Sequence, residues 1–417
     1  MTRGAARSPN RAAVVASSPI PTWTAPRVEV FDRRAARELS GPAERLAIDL
    51  LNAVRGDVRF DPGSRAAYAT DASNYRQVPI GVVVPVDADD VVAAIEVCRA
   101  HDVPIVSRGG GTSLAGQACN VAVVLDHSKY NNRLLELNAD DRWARLQPGL
   151  VLDALRNVAE GHHLTFGPDP ATHDHCTLGG MIGNNSCGVH SVMAGRTEDN
   201  VLELEVLTYD GERFRVGPTT DSEFDAIIAA GGRRAAIYAG MRDLGAAEAD
   251  EIRVRYPDIP RRVSGYNLPQ LVPGAGFDVA KALVGSESTL ATILEAKVRL
   301  VPSPPGRTLV VVGYKDVFAA ADDVPNVMES GCIACEGLDH KLVRDVRQRG
   351  IDLDALPLLP AGRGFLMVEF GGDDRSESDE RARAFKAGLE QRHAGAAARL
   401  FDDPAEEQRM WKVRESG

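Results

Sequence analysis

The chain has 417 residues, of which 44% are apolar, 26% charged and 5% aromatic, enough for two or three domains with cores of their own. Its 59 acidic side chains against 48 basic ones leave a net charge of −11. That excludes the basic surplus a nucleic-acid binder needs to neutralise phosphates. No stretch reaches the ~20 apolar residues of a membrane span, and six cysteines in a chain of this length do not make a disulfide framework.

Residues 1–40 read as a disordered leader, since Arg3, Arg7, Arg11 and Arg27 stand among Ala, Ser and Pro. An organelle transit peptide is the other reading of that bias. The apolar run of a secretory signal is missing, and free thiols make a cytoplasmic location the expectation.

From about Val78 strand and helix alternate. Residues 81–86 (GVVVPV) predict a buried strand, and Asp89 or Asp90 is expected to cap the next helix, where Val91, Ile95 and Cys98 share a face. Residues 103–107 lead as a strand into Gly109-Gly110-Gly111, and 121–126 form a third strand. Residues without a Cβ let successive backbone N–H groups curl around an anion. Thr112 and Ser113 add hydroxyls, and the loop is expected at a sheet edge. It is not a Walker loop, because Gln117 and Ala118 follow Gly116 where Lys and then Ser or Thr would be required. A Rossmann fingerprint fails too, because Leu114 occupies its third glycine position.

A second block opens near Arg142, with a strand over 142–147, a turn at Pro148-Gly149 and a helix over 151–160. Residues 167–188 (GPDPATHDHCTLGGMIGNNSCG) crowd Gly179, Gly180, Gly183 and Gly188 together with Asn184, Asn185 and Ser186. Giving up side-chain volume so densely implies wrapping around a flat ligand or another backbone. His173, His175 and Cys176 have the chemistry of metal ligands, yet no carboxylate or further His completes a set, so no metal is expected. Residues 201–209 predict a strand turning at Asp210-Gly211 into 212–216, and 232–256 a helix. Pro302-Ser303-Pro304-Pro305 marks the main domain boundary, beyond which 308–314 and 365–370 are strands of another α+β unit. Cys332 and Cys335 there, without a second CxxC pair, read as two partly buried structural thiols.

Four segments in order resemble the FAD-binding domain of the vanillyl-alcohol oxidase (PCMH-type) superfamily: RGGGTSLAG (108–116), CTLGGMIGNNSCG (176–188), TEDNVLELEVLTYDG (197–211) and ALVGSESTLATILEAKVRLVP (282–302). The nearest branch is that of glycolate oxidase, D-lactate dehydrogenase and D-2-hydroxyglutarate dehydrogenase, and RRVSGYNL (261–268) resembles a segment this branch places near the flavin. The resemblance implies an α+β fold. A two-lobed FAD-binding domain would span 41–303, with lobes of about 41–140 and 141–303, followed over 304–417 by a partial substrate domain with an antiparallel sheet. It implies that Arg108, Gly109, Gly110, Gly111, Thr112, Ser113, Leu114 and Gly116 bind the FAD pyrophosphate. Gly179, Gly180, Gly183, Asn184, Asn185, Ser186 and Gly188, with Thr197 and Asn200, would lie along the flavin and ribityl chain. Glu287, Thr289 and Leu290 would close the pocket. Ser288 replaces the second glycine of the family's Gly-Ser-Glu-Gly-Thr, which strains the backbone if that position needs a positive φ. Thr112 stands where some members carry a His bonded to FAD, so the flavin is expected to be non-covalent.

The implied reaction is oxidation of a D-2-hydroxy acid (D-lactate, D-2-hydroxyglutarate or glycolate) to the 2-oxo acid, with hydride passing to the flavin and electrons onward to an unidentified acceptor. Arg414 in WKVRE (411–415) would bind the substrate carboxylate; a solvated charged helix is the alternative for that segment. No segment resembles the family's GDGNxH, so the catalytic base is not identified, and an iron–sulfur cluster would belong only to a longer form. The expectation is therefore a substrate domain cut midway, with an open edge and exposed apolar surface. FAD binding is expected, and turnover by this chain alone is not; an FAD-binding fragment without turnover is the rival reading. Peripheral membrane association stays open.

Overall fold

The run of β-branched residues at 81–84 sits at the centre of a first sheet. The computed structural model describes residues 41–351, 353–392 and 397–415, and the leader assigned to 1–40 lies outside the described residues. Strands β1 (Asp57–Arg59), β2 (Gly81–Val84), β3 (Ile105–Arg108) and β4 (Val123–Asp126) lie in the order β1-β2-β4-β3. β2, β4 and β3 are parallel, whereas β1 is antiparallel to β2. Parallel strands require both faces covered. The helices Pro42–Ala53 and Ala88–Ala100 cover one, through Leu46, Leu50, Val91, Ile95 and Cys98, and Tyr68 and Tyr130 lie on the other. The cap of Ala88–Ala100 is Asp87 rather than Asp89 or Asp90, because its carboxylate accepts from the amides of both. Asp90 turns inward instead and accepts from the backbone N–H groups of Arg55, Gly56 and Val86. β3 is an edge strand, as the glycine loop that follows it predicts.

The second sheet takes β5 (Leu134–Asn138), β6 (Trp143–Leu146), β8 (Val201–Leu207), β9 (Arg213–Val216) and β10 (Thr292–Arg299), while the short β7 (Leu164–Thr165) pairs with β11 (Val301–Pro302). Its order is β5-β6-β10-β8-β9, antiparallel throughout. Buried residues alternate along β10, the period of a strand with one face in a core. That core includes the helices Leu152–Glu160 and Leu178–Asn184. Leu207 and Leu294 point to the opposite side and join the core of the first sheet, so apolar contact locks the two sheets together. The segment expected as one helix over 232–256 is two, Gly232–Ala247 and Ala249–Arg255, meeting at Glu248.

The third sheet has the order β13-β14-β12-β15, from β12 (Gly306–Tyr314), β13 (Ala334–Asp339), β14 (Gly364–Gly372) and β15 (Ala397–Phe401), all antiparallel. The helices Val317–Met328 and Arg375–Arg392 pack on one face, His340–Arg349 and Pro404–Glu415 on the other. Among the described residues both faces of this sheet are therefore covered, with every residue of β14 buried, while β13 and β15 remain edge strands. Cys332 is buried and Cys335 half-buried; burial pushes both thiols up, Cys335 to about 12. Among the described residues no helix is long and apolar enough to cross a membrane.

A buried histidine ties this sheet to the loop that carries Asp169. His190 Nδ1 lies 2.5 Å from Asp169 Oδ2, and its Nε2 lies 2.7 Å from Glu369 Oε2 on β14. Burial opposes the charge, but the two carboxylates outweigh it and raise His190 to about 9.

Candidate functional site

β3 ends at Arg108, and the chain leaves the sheet through three glycines that serve two different purposes. Gly111 has φ 68° and Gly116 φ 84°, conformations in which an L side chain is strained. Gly109 and Gly110 are needed for close approach: a Cβ on the first would overlap the Thr177 hydroxyl, and on the second the His175 carbonyl oxygen. A positive φ is thus confined to Gly111 within the triplet. The Arg108 guanidinium folds back under the loop, 5.3 Å from the Tyr68 ring centroid and 3.4 Å from the Tyr68 and Ala118 carbonyl oxygens. A Cβ on Gly111 would lie 2.5 Å from its Nη2.

The second segment is packed directly against the first. Thr177 caps the helix Leu178–Asn184 by accepting from Gly180 N–H, and Gly179 lies so close to Pro148 that a Cβ would be 2.6 Å from the ring. Asn185 ends the helix at φ 54°. Between the two segments is a cavity of about 450 Å³, walled by 106–115, by Cys176, Thr177, Gly179, Gly180, Gly183, Asn184 and Ser186, and by Glu287 and Ser288. Glu287 and Ser288 both have positive φ, 52° and 60°. Glu287 N–H donates to Gly183 O at 2.9 Å, and burial raises its carboxyl, which accepts from Gln117 Nε2 at 3.4 Å.

Several residues expected along the ligand stand behind the wall. Asn185 and Glu198 are joined by two hydrogen bonds of 3.2 and 3.0 Å. Thr197 donates to Ser186 O, and the Asn200 amide donates to Ala194 O and Arg196 O. These side chains are consumed in shaping the loop that presents Asn184 and Ser186. Gly116 packs against the Tyr75 ring, Gly188 against the Asp169 backbone. Thr289 and Leu290 line a neighbouring cleft with Asp102 and Tyr209. The segment 261–268 braces the site from outside: Arg261 donates to Gly188 O, Tyr266 OH meets Thr289 Oγ1 at 2.9 Å, and Asn267 donates to Lys281 O and Glu198.

Arg414 does not line the cavity. Its Nη2 donates to Glu336 Oε2 at 3.1 Å. Its neighbour Glu415 is 3.5 Å from His173 Nε2, and the loop carrying His173 supplies Pro170, Ala171 and Thr172 to the wall, so the helix end stands beside the rim. Glu415, against burial and with help from Asp153, raises His173 to about 9. His175 pairs with Asp174 at 2.6 Å, and no group of three metal-ligating side chains occurs among the described residues.

Two polar side chains of the wall were given no role by the sequence reading. Ser107 Oγ and His127 Nε2 are buried with no hydrogen-bond partner among the described residues, and both line the cavity. Backbone amides freed by glycine, a wall of small side chains and unpartnered polar atoms together fit a dinucleotide with a flat ring system.

Residues 79–217 match the FAD binding domain family, and residues 303–417 the C-terminal domain of FAD linked oxidases. A D-2-hydroxyglutarate dehydrogenase of Pseudomonas putida is 33% identical over 340 residues, 79% of this chain and 34% of that protein. Its counterpart in Escherichia coli is 29% identical over 346 residues, covering 81% of this chain and 34% of that protein. The glycolate oxidase subunit GlcD of Bacillus subtilis is 30% identical over 317 residues, 73% of this chain and 56% of that subunit. The chain thus spans about a third of the length of these two dehydrogenases. Among solved structures, an alkyldihydroxyacetonephosphate synthase aligns with a TM-score of 0.61 at 15% identity over 88% of this chain and 64% of that one. A p-cresol methylhydroxylase aligns with 0.61 at 13% over 89% and 69%; both likenesses show the fold. With the glycine-walled cavity, the two matched domains and these relatives in view, the chain carries the FAD binding domain and the C-terminal domain of FAD linked oxidases, has the fold of PCMH-type flavoproteins, and is similar to D-2-hydroxyglutarate dehydrogenases and glycolate oxidase subunits.

Proposed function

We propose that this chain is the flavin-carrying part of an oxidoreductase that converts a D-2-hydroxy acid to its 2-oxo acid. The observation that carries the reading is the single cavity into which the 106–115 loop, the 176–186 segment and Glu287-Ser288 converge. FAD held there would supply the hydride acceptor for a 2-hydroxy acid. The backbone N–H groups of the glycine loop, with the Thr112 and Ser113 hydroxyls, would hold its phosphates, and the small residues of Leu178–Asn184 would leave room for its ring system. Thr112 offers no imidazole for covalent attachment, so the flavin is held non-covalently. Arg414 exchanges Glu336 for the substrate carboxylate, a charge-assisted pair of the same geometry.

Residues 41–303 form the FAD-binding domain in this reading, with lobes meeting near 140, and 304–417 belong to the substrate domain. D-2-hydroxyglutarate leads among the substrates, because relatives bearing that name match at up to 33% identity; D-lactate and glycolate follow. The site of action is cytoplasmic, consistent with six free cysteines.

The test has two stages. Protein reconstituted with FAD and then precipitated by denaturation leaves yellow flavin in the supernatant; colour in the pellet overturns the non-covalent assignment. Anaerobic mixing with each of the three acids then perturbs the bound-flavin spectrum for one of them, without the bleaching that turnover would give. A chain that takes up no FAD, or a spectrum indifferent to all three, overturns the reading.

A further inference from the structure

His127 lies outside every glycine motif, yet the fold delivers it to the cavity. Its backbone N–H donates to Arg108 O at 3.0 Å, extending the β3–β4 ladder by one residue just where the glycine loop departs. His127 is 3% exposed and is among the residues that line the cavity. Asn131 Nδ2 donates to its Nδ1 at 3.2 Å, which places the ring proton on Nε2. Burial lowers His127 to about 4, so the ring is neutral near pH 7. The result is an N–H donor, buried and unpartnered among the described residues, in the wall of the flavin cavity. Ser107 Oγ, on the adjacent strand, is a second such group in the same wall.

A buried polar atom without a partner is rare in folded proteins because its desolvation goes uncompensated. Two in one cavity wall point to a common partner arriving from the cavity. We infer that His127 Nε2–H donates a hydrogen bond to the bound FAD, with the Ser107 hydroxyl alongside. His127 is then a cofactor-positioning residue, its tautomer set by Asn131. The inference rests on the flavin reading above.

FAD titration of the wild type beside His127→Leu, His127→Asn and His127→Gln tests it. The Gln amide nitrogen reaches the place of imidazole Nε2, whereas that of Asn reaches only the place of Nδ1. Loss of one net hydrogen bond corresponds to roughly tenfold in affinity. The Leu and Asn variants are expected to bind FAD about tenfold more weakly, with Gln restoring affinity to within about threefold. The second measurement needs no variant: the ¹⁵N resonance of His127 Nε2 shifts when FAD is added to the wild type. Equal affinities in all four proteins, a loss shared by Gln, or an unmoved Nε2 resonance in FAD-saturated protein each overturn the inference and leave the flavin reading intact. A wild type that binds no FAD removes both.

Discussion

Gly110 and Gly111 are neighbours with different physical duties. Gly111→Val must adopt φ 68° and meet the Arg108 guanidinium, so it blocks the loop itself. Gly110→Val instead pushes its new side chain into the His175 carbonyl and separates the two segments of the wall. Both are expected to lose at least about a hundredfold in FAD affinity (~2.7 kcal/mol). Both also lower the melting temperature of the flavin-free protein, Gly111→Val through left-handed strain and Gly110→Val through a clash between the two segments. Flavin titration beside thermal melts checks both; a variant that melts like the wild type would refute its steric argument. Ser288 gives a gentler case. At φ 60° an L residue carries roughly 1 kcal/mol of left-handed strain, partly offset in Ser288→Gly by the freer unfolded chain. A net gain of about 0.5 kcal/mol is expected, read as a melting temperature higher by about 1 °C, and a lower one would show that the site is unstrained.

At the scale of the element, the helix Leu178–Asn184 is built for a neighbour on each side. Gly179 faces Pro148, where a Cβ has no room, whereas Gly183 has nothing within 4 Å of its would-be Cβ and lines the cavity. Gly183→Ala removes a helix-weakening residue, worth up to about 1 kcal/mol, while placing a methyl group in the cofactor's space. The flavin-free protein is expected to melt higher and FAD to bind at least about tenfold more weakly. Gly179→Ala is expected to melt lower. Opposite signs in the two melts would support this division of faces; a Gly183→Ala protein that binds FAD normally would place the ring system elsewhere. Strands such as β2 and β14 were legible from their β-branched and aromatic runs. The break at Glu248 was not, because helical residues stand on both sides of it. The choice of Asp87 as cap was hidden too: Asp87, Asp89 and Asp90 have the same chemistry, and only the approach of Arg55 and Gly56 turns Asp90 inward.

For the whole molecule, the decisive contact is His190 between Asp169 and Glu369. Folding raises His190 from its ordinary value of roughly 6.5 to about 9. Its contribution is therefore complete below pH ~6.5 and lost as pH rises towards about 9. Against burial, His190 holds Asp169 and Glu369 below the usual carboxylate range. Their contribution persists down to pH values under that range and is lost as pH falls through them. Thermal melts from pH 5 to 9.5 are expected to decline on the alkaline limb. His190→Leu should flatten that limb and destabilise by roughly 3 kcal/mol, since two buried carboxylates lose their partner. An unchanged alkaline limb in the variant would assign the decline to other groups.

The sequence by itself determined the alternation of strands and helices and the two glycine-rich segments, and its resemblance to a known family implied the cofactor. The first two are written in consecutive residues: conformational freedom, side-chain volume and hydrophobic period are local properties. Only the tertiary structure decided that Thr197 and Asn200 serve the loop behind the wall, that Arg414 rests on Glu336, and that His127 and Ser107 face the cavity. It alone paired His190 with Glu369 across 179 positions. A hydrogen bond between distant residues leaves no spacing to read, because the sheets that bring its partners together are set by the burial of many apolar side chains at once.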